Sequence, residues 1–248
     1  MGVVKLKGLV IGEKKKGEAD KQLTLFTLEE GKALVYSKGA RKLKSRYFSG
    51  SALFDYSDFV LYSGRDFYST TQIDKIVGFE SISLDYEKLC CGNLFLELVD
   101  KTTFQGEPNS DILKLLLSAL RALEMSITDN FCIYHAFLFK YLQICGYEPA
   151  VLNCSHCGCD LDMNDEIYYC ISGALCKGCS LKEAAAIKVN DAVLYAIRYI
   201  LNSEIREAFS YTLDRPSKMY LKPASDISLN NFDATLNCKK IVDEIFAK

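Results

Sequence analysis

A chain of 248 residues that is 49% apolar has enough material to bury a core, which excludes intrinsic disorder as its ground state. Its net charge of −2 hides an asymmetry, because residues 1–50 carry twelve Lys or Arg against five Asp or Glu and the rest of the chain sums to −9. Eleven cysteines, an odd count, behind a start (Gly2-Val3-Val4-Lys5-Leu6-Lys7) without an apolar leader segment argue against a secreted disulfide framework, and no apolar run is long enough to span a membrane, so reduced thiols in the cytoplasm are expected.

The first 80 residues read as short strands. Val3 to Ile11 opens as a strand, and Gly12 to Asp20, with Lys14, Lys15 and Lys16, reads as a polar loop. Gln22 to Leu28 alternates with period two, Glu29 to Lys32 forms a turn, and Ala33 to Ser37 begins the third strand. Ser51 to Tyr56 and Asp58 to Ser63 read as two strands parted by Ser57, and Gly64-Arg65-Asp66 as a tight turn into Phe67 to Ile76. Some five short strands without a helix predict a small closed barrel of the OB-fold kind, with an SH3-like barrel as the alternative.

From about Asp85 the apolar period changes to that of a helix, which places a domain boundary between Phe79 and Ser83 and predicts domains at 1–80 and 83–248. Helices are expected over Tyr86 to Thr103, Asp111 to Glu124 behind Asn109-Ser110, and Asp129 to Cys145 ended by Gly146. Further helices are expected over Leu181 to Ile187, Asp191 to Tyr211 and Asn230 to Ala247. The third helix, with Phe131, Phe137, Leu138, Tyr141 and Leu142, is more apolar than one buried stripe requires; it is either a central core helix or a partner-facing one. The fold class is α+β: a barrel followed by a helical domain with a cysteine-rich insert at about 150–180.

That insert holds Cys154-Ser-His-Cys157 and Cys176-Lys-Gly-Cys179, two C-x2-C turns separated by eighteen residues. Four thiolates at this spacing satisfy one tetrahedral Zn(II) and leave no open coordination position, so one structural zinc per chain is predicted. Cys159 and Cys170 lie between the pairs without belonging to such a turn; each reads as a buried or half-buried thiol, and His156 as pointing to solvent. A zinc deaminase would need H-x-E followed by P-C-x-x-C, whereas His135 precedes Ala136-Phe137 and His156 precedes Cys157-Gly158.

Lys38, Arg41, Lys42, Lys44 and Arg46 place five cations in nine residues with no acid among them, a composition suited to following a phosphate backbone. Aromatics follow at Tyr47, Phe48, Phe54, Tyr56, Phe59, Tyr62, Phe67 and Tyr68; on a small barrel such rings either fill the core or stack on bases. Phosphate-binding P-loops, nucleophile elbows and paired metal-binding carboxylates are missing from the sequence, so a hydrolase or nuclease is the least supported class and no catalytic residue is expected.

A strand-rich start, the segment Gly39-Ala-Arg-Lys-Leu-Lys-Ser-Arg46, Gly146-Tyr-Glu-Pro149 closing a helix, and then two C-x2-C turns within a helical half make the chain resemble the bacterial RecO family over nearly its whole length. The resemblance implies an N-terminal OB-fold, a C-terminal helical domain with a zinc ribbon matched by Cys154, Cys157, Cys176 and Cys179, and a non-enzymatic recombination mediator in the cytoplasm at the nucleoid. It implies binding to single- and double-stranded DNA, annealing of complementary strands, and partnership with RecR and with the C-terminal tail of the single-stranded-DNA-binding protein, which together help load RecA on gaps. Lys38, Arg41, Lys42, Lys44 and Arg46 occupy the family's basic segment as DNA contacts, and Lys14, Lys15 and Lys16 add a second set from the first barrel loop. A general single-stranded DNA or RNA binding module with the same structural zinc is the alternative reading. The segment from Asp214 to Lys248 matches the family only loosely.

Overall fold

The structure is a computed structural model that describes residues 2–42, 44–64, 67–161, 166–232 and 234–247. The expected turn at Gly64-Arg65-Asp66 falls largely outside them, since Arg65 and Asp66 are not among the described residues.

Five strands close into a barrel: β1 (Val3–Lys16), β2 (Asp20–Thr27), β3 (Gly31–Ser37), β4 (Asp55–Ser63) and β5 (Tyr68–Gly78), in the order β1-β2-β3-β5-β4. All neighbours are antiparallel except β3 and β5, which pair in parallel at Val35 with Tyr68 and Tyr36 with Ser69. Period-two alternation turns Leu6, Val10, Leu23, Leu25, Val35, Phe59, Leu61 and Ile73 inward to one core. At the tight turn into β3, Gly31 has φ +65°, and an added Cβ would lie 2.2 Å from the Glu107 carbonyl oxygen, so glycine alone fits.

β2, β3 and β5 start and end within two residues of their expected bounds, and the larger departures from the sequence reading lie in β1 and β4. Lys14, Lys15 and Lys16 lie on β1 and pair with Gln22, Lys21 and Asp20, so the expected loop is a projecting hairpin that turns at Gly17. From Glu13 to Lys16 the β1 side of this hairpin is exposed without alternation to betray it, and a Lys21–Glu13 ion pair at 2.7 Å bridges the strands. Ser57 does not divide two strands: it pairs with Gly8 and Lys75 inside β4, and its buried hydroxyl donates to the Gly50 carbonyl at 3.0 Å. Residues 51–54 form the turn before it, with Phe54 at φ +70°.

A short 3-10 turn, Glu80–Leu84, leads into α1 (Tyr86–Thr102), which Asp85 caps by accepting the Lys88 N–H at 3.0 Å. α2 (Ser110–Met125) is capped by Asn109, and α3 (Asn130–Ile144) by Asp129, with Gly146 at φ +83° ending it. From Phe131 to Leu142 every residue of α3 is buried, which makes it the central core helix and removes Phe131, Phe137, Leu138, Tyr141 and Leu142 from any exposed face.

The cysteine-rich insert forms a three-stranded sheet of β6 (Ile167–Cys170), β7 (Gly173–Cys176) and β8 (Ile187–Val189), in the order β7-β6-β8, with one helical turn, α4 (Lys177–Ser180). The helix expected over Leu181 to Ile187 is absent: those residues are turns, and Ile187 is drawn into pairing with Tyr169. Sheet pairing outweighs the helix propensity of Ala184-Ala185-Ala186.

α5 (Asp191–Asn202) ends nine residues before the expected Tyr211, where Lys140 and Gln143 satisfy the Leu201 carbonyl. α6 (Arg215–Leu229) is not among the helices expected from the sequence, and it contains Pro216 and Pro223. Pro216 occupies the first turn, where no N–H is needed. α7 (Lys239–Phe246) begins well after the expected Asn230, at the point where the Glu97 carboxylate accepts the N–H groups of Asn237 and Cys238 at 2.7 and 2.8 Å.

Two compact units emerge: residues 1–124 with 236–248, and residues 125–235. The first holds the barrel, α1, α2 and α7, and the second holds α3, the ribbon, α5 and α6.

Candidate functional site: a basic barrel rim and a four-cysteine centre

The β1–β2 hairpin and the loop after β3 are distant in sequence, yet one residue joins them. Arg41 donates its backbone N–H to the Ala19 carbonyl at 2.9 Å, and its guanidinium donates to the carbonyls of Gly17 and Glu18 at 3.2 and 2.9 Å. This pins the hairpin tip, with exposed Lys14, Lys15 and Lys16, to the loop that carries exposed Lys38, Lys42, Lys44 and Arg46. Asp20 adds a second tie: one carboxylate oxygen accepts the Gly39 N–H at 2.7 Å, and the other accepts the Tyr36 hydroxyl. Those hydrogen bonds, Tyr36 first, hold the Asp20 carboxyl below its ordinary range, helped by the nearby charges of Lys38 and Lys42.

The eight cations expected to contact phosphate thus fall into two kinds. Lys14, Lys15, Lys16, Lys38, Lys42 and Lys44 are exposed, while Arg41 organises the backbone that presents them. Arg46 lies over the Tyr47 ring at 4.8 Å and donates to its hydroxyl at 2.6 Å. The aromatics divide as well: Tyr47, Phe54 and Phe59 are core, whereas Phe48, Tyr62 and Phe67 are exposed and Tyr56 and Tyr68 half-buried.

In the second unit, Cys154, Cys157, Cys176 and Cys179 bring four sulfurs within 4.8 Å of one another. Four thiolates around a zinc ion at its usual bond length sit about 3.8 Å apart; the Cys157 and Cys176 sulfurs are 3.9 Å apart. The first turn is closed by the Gly158 N–H donating to the Cys154 carbonyl at 2.9 Å, with Gly158 at φ +74°, and the second is the helical turn α4.

The surrounding backbone favours thiolate. Burial raises the Cys154 thiol, but the N–H groups of Cys157, Cys176 and His156 outweigh it and bring it down to about 6. Cys179, donating to Cys157 and partly desolvated, is raised to about 12. Crowded thiols cannot all ionise by themselves; a divalent cation replaces their protons and stabilises four thiolates together, so the donor set fits a metal. Cys170 is buried in β6 and His156 is exposed, both as expected, whereas Cys159 is exposed and not the buried or half-buried thiol expected, because it follows the tight turn at Gly158 on the outer side of the four-sulfur group.

The fold and these two sites define a class: an OB-fold barrel with a cationic rim, continued by helices and a four-cysteine ribbon able to hold a metal ion. The family model described as Recombination protein O N terminal matches residues 1–79, and that described as Recombination protein O C terminal matches residues 83–226. A DNA repair protein RecO of Acetivibrio thermocellus is 30% identical over 243 residues, which cover 94% of this chain and 96% of that protein. The RecO of Alkaliphilus metalliredigens is 30% identical over 83% of each chain, and that of Thermoanaerobacter sp. 25% identical over 97% of this chain and 100% of the relative. The chain belongs to the RecO family of DNA repair proteins. Among the described residues no helix is long and apolar enough to cross a membrane.

Proposed function

We propose that this protein is a recombination mediator that binds single- and double-stranded DNA through the barrel rim and anneals complementary strands without a catalytic residue. The observation that carries the reading is the joining of two lysine-bearing loops through Arg41 and Asp20 on one side of the barrel. Lys14, Lys15, Lys16, Lys38, Lys42, Lys44 and the exposed Arg46 contact phosphates there, and Arg41 ties together the two segments that present them. Screening the phosphates of two strands while holding them close accelerates pairing by proximity and electrostatics.

The family matches support the wider assignment: work with RecR, and with the tail of the single-stranded-DNA-binding protein, to load RecA at coated gaps in the cytoplasm at the nucleoid. Residues 83–248 carry the protein partnerships and residues 1–80 the DNA. The ion held by Cys154, Cys157, Cys176 and Cys179 is zinc, one per chain, in a structural role, because four thiolates fill its coordination shell. Annealing of complementary oligonucleotides, naked and coated with the single-stranded-DNA-binding protein, tests the reading. Faster pairing than in buffer is expected, and unchanged pairing in both arms refutes it. An RNA competitor that displaces DNA equally well favours a general nucleic-acid-binding module instead.

A further inference from the structure

The outer face of β2 and β3 carries a mostly apolar depression of 380 Å³ lined by Lys16, Gln22, Leu34, Val35, Tyr36 and Phe67. A second, of 360 Å³, shares Leu34 and Phe67 and runs on past Lys32 and Tyr68, so the two form one groove across β3. Phe67 is 53% exposed and meets the Tyr36 ring edge-on, with centroids 6.2 Å apart at 61°. Tyr36 is held by its hydroxyl on Asp20, which also fixes Gly39. The platform is therefore ordered before anything binds, and it lies directly beside the lysine rim, with Lys16 common to both.

Phosphate binding accounts for the lysines and leaves this aromatic groove without a role. An exposed phenylalanine against a fixed tyrosine, next to a cationic track, matches what unpaired bases need: a ring to stack on while the backbone is neutralised alongside. In a duplex both faces of each base are already covered by stacking, so the groove has nothing to receive. We propose that the Tyr36–Phe67 groove takes unpaired nucleobases and sets the preference of the barrel for single strands, while the lysine rim binds the phosphates of either form. This rests on the reading that the rim contacts nucleic acid. A base held by stacking alone keeps its pairing edge free, which suits a protein that must hand the strand to a complement.

The test compares the full-length protein with Phe67→Ala, Phe67→Tyr and a Lys15→Glu, Lys16→Glu double variant on oligothymidylate, an abasic strand of the same length and a duplex. Phe67 is exposed, so its truncation leaves the barrel core intact. Phe67→Ala is expected to bind oligothymidylate roughly tenfold more weakly, with the abasic strand and duplex changed less than about twofold, and Phe67→Tyr to restore affinity. The lysine variant is expected to weaken all three. If Phe67→Ala leaves all three unchanged, or weakens all equally, the stacking assignment is overturned, and the phosphate reading stands as long as the lysine variant still loses affinity. If neither variant changes any affinity, both readings fall.

Discussion

The barrel and the ribbon are both small β structures, yet they hold together in different ways. The barrel closes its own hydrogen-bond ladder and buries Leu23, Leu25, Val35, Phe59 and Leu61 completely, so its order is built from apolar side chains and backbone pairing. The ribbon has three strands of three or four residues, too few to stand by pairing alone. Its second source of order is the cluster of four thiols, whose mutual crowding a cation relieves. One region is thus expected to be indifferent to metal and the other governed by it.

Removing the metal separates the regions most sharply. Chelation, or Cys176→Ala, is expected to unfold residues 150–189, seen as rapid hydrogen exchange and proteolysis there, while the barrel amides stay protected. Equal loss of protection in both regions would contradict the contrast.

Acid gives the next largest effect. Burial holds the His135 ring neutral, lowering it from 6.5 to about 4, although a hydrogen bond with the Phe131 carbonyl opposes the shift. The folded state therefore takes up fewer protons than the unfolded one between these values. The stability this ring contributes is whole above pH 6.5 and is lost as pH falls toward 4, by at most about 3 kcal/mol. Residues 125–235 should soften in that window before the barrel does, as residue-resolved hydrogen exchange at pH 7 and pH 5 would show.

A smaller effect is expected where α7 docks on α1. Glu97 is raised by burial, but the N–H groups of Cys238 and Asn237 and the Lys101 ammonium outweigh this and lower it to about 2. Its contribution is whole above 4.5 and is lost as pH falls toward 2. Glu97→Gln should cost about 1–2 kcal/mol at neutral pH and speed exchange at Asn237 and Cys238. The smallest change is expected from Cys159→Ser, which should leave metal content, read by elemental analysis, at the wild-type level.

Much of this was legible in the sequence, for identifiable reasons. Alternation revealed β2 and β3 because one face of each meets a core, and the cap at Asn109 and the helix-ending Gly146 left short local signatures, whereas the capping by Asp85 and Asp129 emerged only in the structure. The four cysteines announced themselves by spacing, since a metal dictates local geometry. What escaped lacked a local signal. The Lys14–Lys16 arm has no buried face, α6 contains two prolines, and β8 is a strand only because β6 lies beside it. The structural use of Arg41 was hidden for the same reason: a guanidinium that ties two loops together has the same sequence signature as one that meets a phosphate.

That distinction selects the variant for the most direct test of the central claim, that the barrel rim binds DNA through phosphates. Arg41 should be left intact, and Lys15, Lys16, Lys42 and Lys44 changed together to Glu, because all four are exposed and outside the core. The measurement is affinity for a single strand across a range of salt concentrations. Each lost phosphate contact should lower the slope of log affinity against log salt by roughly 0.7, so the quadruple variant should bind weakly and with little salt dependence. An unchanged affinity and slope in a variant that remains folded would contradict the account.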